Sequence, residues 1–247
     1  MSETRLYIEG TIAVGSEAEI RDEQARYVSR VLRLKPGDCV TLFDGTGAEY
    51  PASIVSLSKT RVLVSVTDEI HRDTESSLRI HLLQGVSRGE RMDFVVQKAT
   101  ELGVHRITPV LTEYSVVKLD EKRAEKRIRH WRGVAASACE QCGRNVLPVL
   151  DPPIALRNWL GENLDSAGTR IILKPGADGS LKSIQPDGGQ LTALIGPEGG
   201  LSDEEYGLAE ATGFQPIGFG PRILRTETAA LAVVAAVQAL SGDLAPG

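Results

Sequence analysis

Leu194-Ile195-Gly196-Pro197-Glu198-Gly199-Gly200-Leu201-Ser202-Asp203-Glu204-Glu205 decides the fold. An apolar run over Leu191–Ile195 reads as a buried strand, leaves through a glycine-rich turn and enters a helix. Ser202 and Glu205 have the spacing of a capping box, with Leu201 and Tyr206 as its hydrophobic staple. Gly196, Gly199 and Gly200 permit unusual backbone angles and close approach of a ligand. A phosphate loop fits poorly, because no Lys-Ser/Thr follows the glycines and Glu198 would set a negative charge beside the phosphate. A cationic or uncharged ligand suits that carboxylate better. A plain strand-to-helix turn that needs its glycines stays open as the other reading.

The same pattern repeats on both sides. Leu78–Leu83, Arg106–Val110, Arg170–Leu173 and Gln215–Phe219 read as strands. Between them, Met92, Val96, Ala99 and Leu102 share a helical face closed by Gly103. Ala124, Ile128, Trp131, Ala135, Ala138 and Cys142 mark the apolar seam of a long helix. This alternation predicts a largely parallel α/β sheet with ligands at the carboxyl ends of its strands. A second strand exit, Gly218-Phe219-Gly220-Pro221-Arg222-Ile223-Leu224-Arg225-Thr226-Glu227-Thr228, opens into Ala229–Leu240. Thr226 or Thr228 would cap that helix, and its all-round apolar character predicts burial on most sides, in the fold or against another subunit. Arg222, Arg225 and Glu227 at its mouth suit either a site or a capping ion pair.

The first seventy residues read differently. Thr41–Phe43, Glu49–Leu57 and Arg61–Val66 are short strands, and Asp44-Gly45-Thr46-Gly47 is a turn. A short helix falls between Asp22 and Leu34, stopped by Lys35-Pro36-Gly37-Asp38. Together they predict a small barrel, with a polar linker over Thr67–Ser77.

Composition narrows the class. The chain of 247 residues is 41% hydrophobic and 25% charged, which excludes long disorder. Three cysteines cannot form a disulfide framework, and a reducing compartment is expected. Cys139-Glu140-Gln141-Cys142 lacks a second Cys/His pair for zinc and sits late in its helix, unlike a redox pair, so no metal is expected. No stretch reads as a secretory signal or reaches the ~20 apolar residues of a membrane span, so a cytoplasmic protein is expected. The net charge of −5 hides an uneven distribution: residues 79–133 carry +5 and residues 151–210 carry −6. The basic stretch, with Arg88, Arg91, Lys98, Lys118, Lys122, Arg123, Lys126, Arg127, Arg129 and Arg132, suits either a nucleic-acid backbone or a solvated helix surface.

Taken together, these motifs resemble the RsmE-type uridine N3-methyltransferases of small-subunit (16S) ribosomal RNA, in the SPOUT superfamily. The resemblance is carried by Gly89–Asp93 through Lys98–Val104, by Glu140-Gln141 through Arg144 and Pro148, by Gly196–Gly200, by Arg222–Ala229 and by Val31–Asp38. It implies an α/β, SPOUT-type, trefoil-knotted methyltransferase domain over residues 73–247, preceded by a small PUA-like β-barrel over residues 1–72. It implies S-adenosylmethionine held by Leu173, Leu194, Ile195, Gly196, Pro197, Gly199, Gly200, Phe219, Gly220, Ile223, Leu224, Thr226 and Thr228. Arg225, Glu198 and Glu227 are the implied catalytic set. Arg5, Arg30, Arg33, Arg88, Arg91, Lys118 and Arg144 are the implied RNA contacts, and a homodimer acting on small-subunit ribosomal RNA or the assembled small subunit is implied. Two departures stand out: Arg26-Tyr27 replaces a histidine pair, and Cys142 replaces a serine. A non-catalytic RNA-binding protein on the same scaffold would need the basic face but not the two glycine-rich loops. A phosphate-binding α/β enzyme is disfavoured by Glu198 and the missing lysine.

Overall fold

The computed structural model describes residues 4–115, 120–164 and 167–244, without the side chain of Glu121. The chain divides into two compact units, Met1–Glu75 with Cys139–Leu147, and Ser76–Ala138 with Pro148–Gly247.

The first unit contains β1 (Arg5–Tyr7), β2 (Glu17–Arg21), α1 (Asp22–Arg26), β3 (Cys39–Phe43), β4 (Ala48–Leu57), β5 (Arg61–Val66) and β6 (Ile70–His71). Its sheet runs β1-β3-β4-β5-β2, with β6 beside β4; only the β1–β3 pair is parallel. Alternate residues, among them Val62, Val64 and Val66, turn inward onto Leu6, Ile20, Val28 and Leu42. β1 and β2 are too short and too polar to stand out by period, so sequence patterning misses them.

The segment Cys139–Leu147 is held in this unit by buried polar contacts. Glu140 accepts hydrogen bonds from the Tyr7 backbone N–H and the Gln24 amide at 2.9 and 3.0 Å. Burial pushes its carboxyl up, against those two donors. Arg144 is buried, and its guanidinium donates to both carboxylate oxygens of Glu75. The Arg5 side chain is 9% exposed, pairs with Glu49 at 2.6 Å and also donates to Asn145. Arg5 and Arg144 therefore hold the unit together and do not face phosphates, because a buried guanidinium already paired with a carboxylate has nothing to offer a backbone outside.

The second unit contains β7 (Arg79–Gly85), α2 (Arg91–Glu101), β8 (Arg106–Leu111), α3 (Glu121–Cys142), β9 (Val149–Leu150), β10 (Ile154–Ala155), α4 (Leu156–Glu162), β11 (Thr169–Leu173), β12 (Gln190–Ile195), α5 (Asp203–Ala211), β13 (Gln215–Ile217) and α6 (Thr226–Ser241). The division falls inside α3, whose last turn belongs to the first unit. The sheet order is β10-β8-β7-β12-β11-β13, with β9 beside β8, and every pair is parallel. Neighbouring residues on one strand serve opposite faces. Leu82 joins Met92, Val96, Trp131, Val233 and Val237 from α2, α3 and α6. Leu83 joins Leu156, Trp159, Ala209 and Phe214 on the side of α4 and α5. Two-sided burial explains why these strands read as continuous apolar runs.

Three expectations are corrected. The strand at Gln215 stops at Ile217, two residues early. Cys139 is buried and Cys142 is exposed, so the apolar seam of α3 leaves Cys142 at the helix end. Neither Thr226 nor Thr228 caps α6; Arg225 is its N-cap residue and makes no side-chain cap.

Arg144→Ala leaves Glu75 without its partner inside the first unit. We expect a loss of roughly 2–3 kcal/mol, below the cost of breaking a fully buried pair because Glu75 keeps some contact with water. Denaturant unfolding of the variant checks it, and a midpoint equal to wild type would contradict the structural role.

Candidate functional site

A cavity of about 610 Å³ opens at the carboxyl ends of β11, β12 and β13. Three strand exits form it: Lys174–Gly176, Gly196–Gly200 and Phe219–Arg225. Its apolar lining is Leu173, Ile195, Ile217, Phe219 and Leu224, and its charged lining is Arg91, Lys174, Glu198, Arg222, Arg225 and Glu227.

Each loop is fixed by a local cause. The capping box forms as the spacing predicts: the Ser202 hydroxyl accepts from the Glu205 N–H, and Glu205 accepts from the Ser202 N–H. The Thr226 hydroxyl, released from capping, donates to the Gly196 carbonyl at 2.6 Å and accepts from the Gln84 amide at 2.9 Å. Gly85 then lies so close to the loop that a β-carbon there would meet the Pro197 nitrogen at 2.3 Å. That contact is backbone on backbone and admits only glycine. The exits of β11 and β13 are also joined, by the Lys174 N–H to the Ile217 carbonyl at 3.1 Å and by the Gly218 N–H to the Gly179 carbonyl at 3.0 Å.

Charge in the cavity is organised around Arg91. Its Nη1 donates to Glu198 at 2.6 Å, and its Nε lies 3.9 Å from Glu227. Glu198 also accepts from the Arg88 backbone N–H at 3.0 Å. Partial burial pushes the Glu198 carboxyl up, but its own backbone N–H, Arg91 and the Arg88 N–H outweigh that and hold it below the usual carboxylate value. Glu227 differs, because its Oε2 is buried and, among the described residues, has no hydrogen-bond partner. Arg225 is exposed and pairs with no acid among the described residues.

Of the residues predicted to hold a cofactor, Leu173, Ile195, Gly196, Pro197, Gly200, Phe219, Gly220, Ile223, Leu224 and Thr226 line the cavity, as do Glu198, Arg225 and Glu227. Three lie elsewhere. Leu194 is buried among the α4 and α5 side chains, and Thr228 faces outward from the first turn of α6. Gly199 turns toward Tyr114, where a β-carbon would meet the Tyr114 Cβ at 2.8 Å. Among the expected RNA contacts, Arg30, Arg33 and Arg88 are exposed, Arg91 belongs to the cavity, and Lys118 lies outside the described residues. Sequence reasoning missed Lys174-Pro175-Gly176. A Pro-Gly turn straight after a buried strand was the signal available for it.

The cavity fits S-adenosylmethionine by its chemistry. No phosphate-binding lysine follows the glycines, the apolar lining suits an adenine, and the unpartnered Glu227 oxygen favours a cationic ligand. Among the described residues no group of three or more His, Cys, Asp or Glu is arranged to hold a metal ion, and no helix is long and apolar enough to cross a membrane.

Parallel α/β unit, glycine loops and a mostly antiparallel first unit together define an RNA methyltransferase with a PUA domain: the model of the RNA methyltransferase domain matches residues 74–238, and that of the RNA methyltransferase PUA domain matches residues 20–67. The ribosomal RNA small subunit methyltransferase E of Buchnera aphidicola (strain APS) is 35% identical over 97% of this chain and 94% of its own. The crystal structure of the corresponding protein from Neisseria gonorrhoeae, bound to S-adenosyl methionine, is 40% identical over 98% of this chain and 99% of that one, with a TM-score of 0.88. A methyltransferase of Legionella pneumophila in complex with the cofactor SAM superposes with a TM-score of 0.93 at 39% identity, over 98% of this chain and 100% of that one. The chain belongs to the ribosomal RNA small subunit methyltransferase E family.

Thr226→Val keeps the shape but removes the hydroxyl that serves both Gly196 and Gln84. Because Gln84 is fully buried, we expect a loss of about 1–3 kcal/mol in stability. S-adenosylhomocysteine affinity should fall as the Gly196–Gly200 loop loosens. Calorimetric titration and unfolding on the same variant check both effects.

Proposed function

We propose that this chain transfers a methyl group from S-adenosylmethionine to N3 of one uridine in small-subunit ribosomal RNA. The observation that carries the reading is the cavity that both glycine-rich loops share with Arg225 and Glu227 at the strand ends. The relatives' names support the RNA, and the two cofactor-bound neighbours support the methyl donor.

S-adenosylmethionine, when bound, supplies an electrophilic methyl on a sulfonium centre. Leu173, Ile195, Phe219 and Leu224 would hold its apolar part, and the Gly196–Gly200 backbone would approach it closely. The uridine imide keeps most of its N3 proton at neutral pH, so transfer needs a proton acceptor. Glu198 is a poor one, since Arg91 and the Arg88 N–H already stabilise it as a carboxylate. Glu227 has an uncommitted buried oxygen and is assigned the proton. As N3 loses its proton, the two flanking oxygens gain negative charge. Arg225, exposed and at the mouth of α6, is assigned to them.

The remaining assignments follow from the same reading. Residues 1–72 grip RNA, with exposed Arg30 and Arg33, while residues 73–247 carry the transfer and its trefoil knot. Arg88 contacts phosphate outside the cavity. The half-exposed side of α6, with Leu231, Ala232, Ala235 and Ala236, meets a second copy in a homodimer. The enzyme works in the cytoplasm, on free RNA or on the assembled subunit.

Incubation of small subunits with labelled S-adenosylmethionine, followed by primer extension, tests the reading. A methyl on N3 blocks the Watson–Crick edge, so one enzyme-dependent stop is expected; label without a stop would assign another acceptor atom. Arg225→Ala should slow single-turnover methylation about a hundredfold, a loss of roughly 3 kcal/mol, with cofactor affinity much less changed. Arg225→Lys keeps the charge without the planar fork and should fall between. A deficit cured by more cofactor would make Arg225 a binding residue.

A further inference from the structure

We infer that the ring of Tyr114 is the platform on which the target uridine stacks during transfer, an inference that rests on the methyltransferase reading. Tyr114 is 48% exposed, in a chain where Trp131, Phe43 and Phe214 are buried. Its backbone is nevertheless fixed. The neighbouring Glu113 N–H donates to Glu205 Oε1 at 2.9 Å, while the other oxygen of Glu205 closes the capping box. On the other side, the Ser115 N–H donates to the Thr112 carbonyl at 3.0 Å, and the Ser115 hydroxyl accepts from the Thr112 N–H at 2.9 Å. A β-carbon on Gly199 would meet the Tyr114 Cβ at 2.8 Å and its carbonyl oxygen at 3.2 Å, and the neighbours of Gly199, Glu198 and Gly200, both line the cavity. A half-exposed ring on a hydrogen-bonded backbone thus lies beside the loop that lines the donor cavity.

The chemistry of the acceptor gives that ring a use. N3 lies on the Watson–Crick edge, so the uridine must be unpaired and splayed out to react. A splayed base offers its two faces, and an aromatic side chain is the usual partner for one of them. Stacking engages the face and leaves the N3 edge free to turn toward the methyl donor. Tyrosine loses few torsions in such a contact, and fewer still when its backbone is already held. The contact needs the ring and not the hydroxyl.

Tyr114→Ala and Tyr114→Phe, with Phe94→Ala on α2 as comparison, test this on small subunits and by titration with S-adenosylhomocysteine. We expect Tyr114→Ala to lower kcat/KM about tenfold with cofactor affinity unchanged, and Tyr114→Phe to match wild type. Wild-type kcat/KM in Tyr114→Ala overturns the inference, as does equal impairment of the alanine and phenylalanine variants, which would assign the effect to the hydroxyl. Reduced cofactor affinity in Tyr114→Ala would make the residue a support of the Gly199 loop and also overturn it. A larger loss in Phe94→Ala than in Tyr114→Ala would move the platform to α2. Absence of methylation by the wild-type enzyme would instead overturn the methyltransferase reading itself.

Discussion

The hydroxyl of Thr226 is the point on which the cavity turns. It donates to the Gly196 carbonyl and accepts from the Gln84 amide, so one oxygen joins the exit of β12, the end of β7 and the start of α6. Thr226 and Gln84 are away from water, where an unmade hydrogen bond costs far more than a made one contributes. The close approach of Gly85 to Pro197 follows, since the loop can reach Thr226 only by crossing the end of β7 at backbone distance. Once the Gly196–Gly200 loop is held there, Glu198 comes within reach of Arg91 and of the Arg88 N–H. The Gly196–Gly200 loop is therefore held where it must meet a ligand closely, and Arg91 of α2 and Glu227 of α6 bring further charge to the cavity.

Much of this was legible because local chemistry and global fold agree. The capping box at Ser202 and Glu205 is a property of four consecutive residues, so nothing distant could overrule it. The strands of the second unit were readable because burial on both faces makes them apolar throughout. The illegible parts have long-range causes. Thr226 looks like a cap in sequence, but Gly196, thirty residues away, competes for its hydroxyl and wins. Arg5 and Arg144 look like phosphate contacts until Glu49 and Glu75 are seen to neutralise them within the first unit. A one-dimensional count of basic residues cannot separate a paired, buried cation from an exposed one. The same limit hid Arg91, which reads as part of a basic stretch and acts between two cavity glutamates.

That arrangement also separates two carboxylates that sequence leaves equivalent. Glu198 and Glu227 both follow glycine-rich exits, and either could be assigned the proton on residue type alone. Their surroundings differ in one respect that matters. Glu198 is supplied with donors and is held as the anion, which makes it a better anchor for Arg91 than a base. Glu227 keeps an oxygen without a donor inside the fold, and an unsatisfied buried acceptor is costly unless a ligand or a proton completes it. Function is the usual reason for such a cost to persist.

The charge of the chain as a whole then has a consistent explanation. A protein that works on RNA is expected to be basic, yet this one carries −5. Residues 151–210, with net −6, include β11, β12 and α5, which build the cavity and its back wall. Exposed cations include Arg30, Arg33 and Arg88, together with Lys122, Arg123, Lys126, Arg129 and Arg132 on α3. A phosphate backbone is attracted only within about a Debye length, roughly 8 Å in physiological salt, so local sign outweighs net sign.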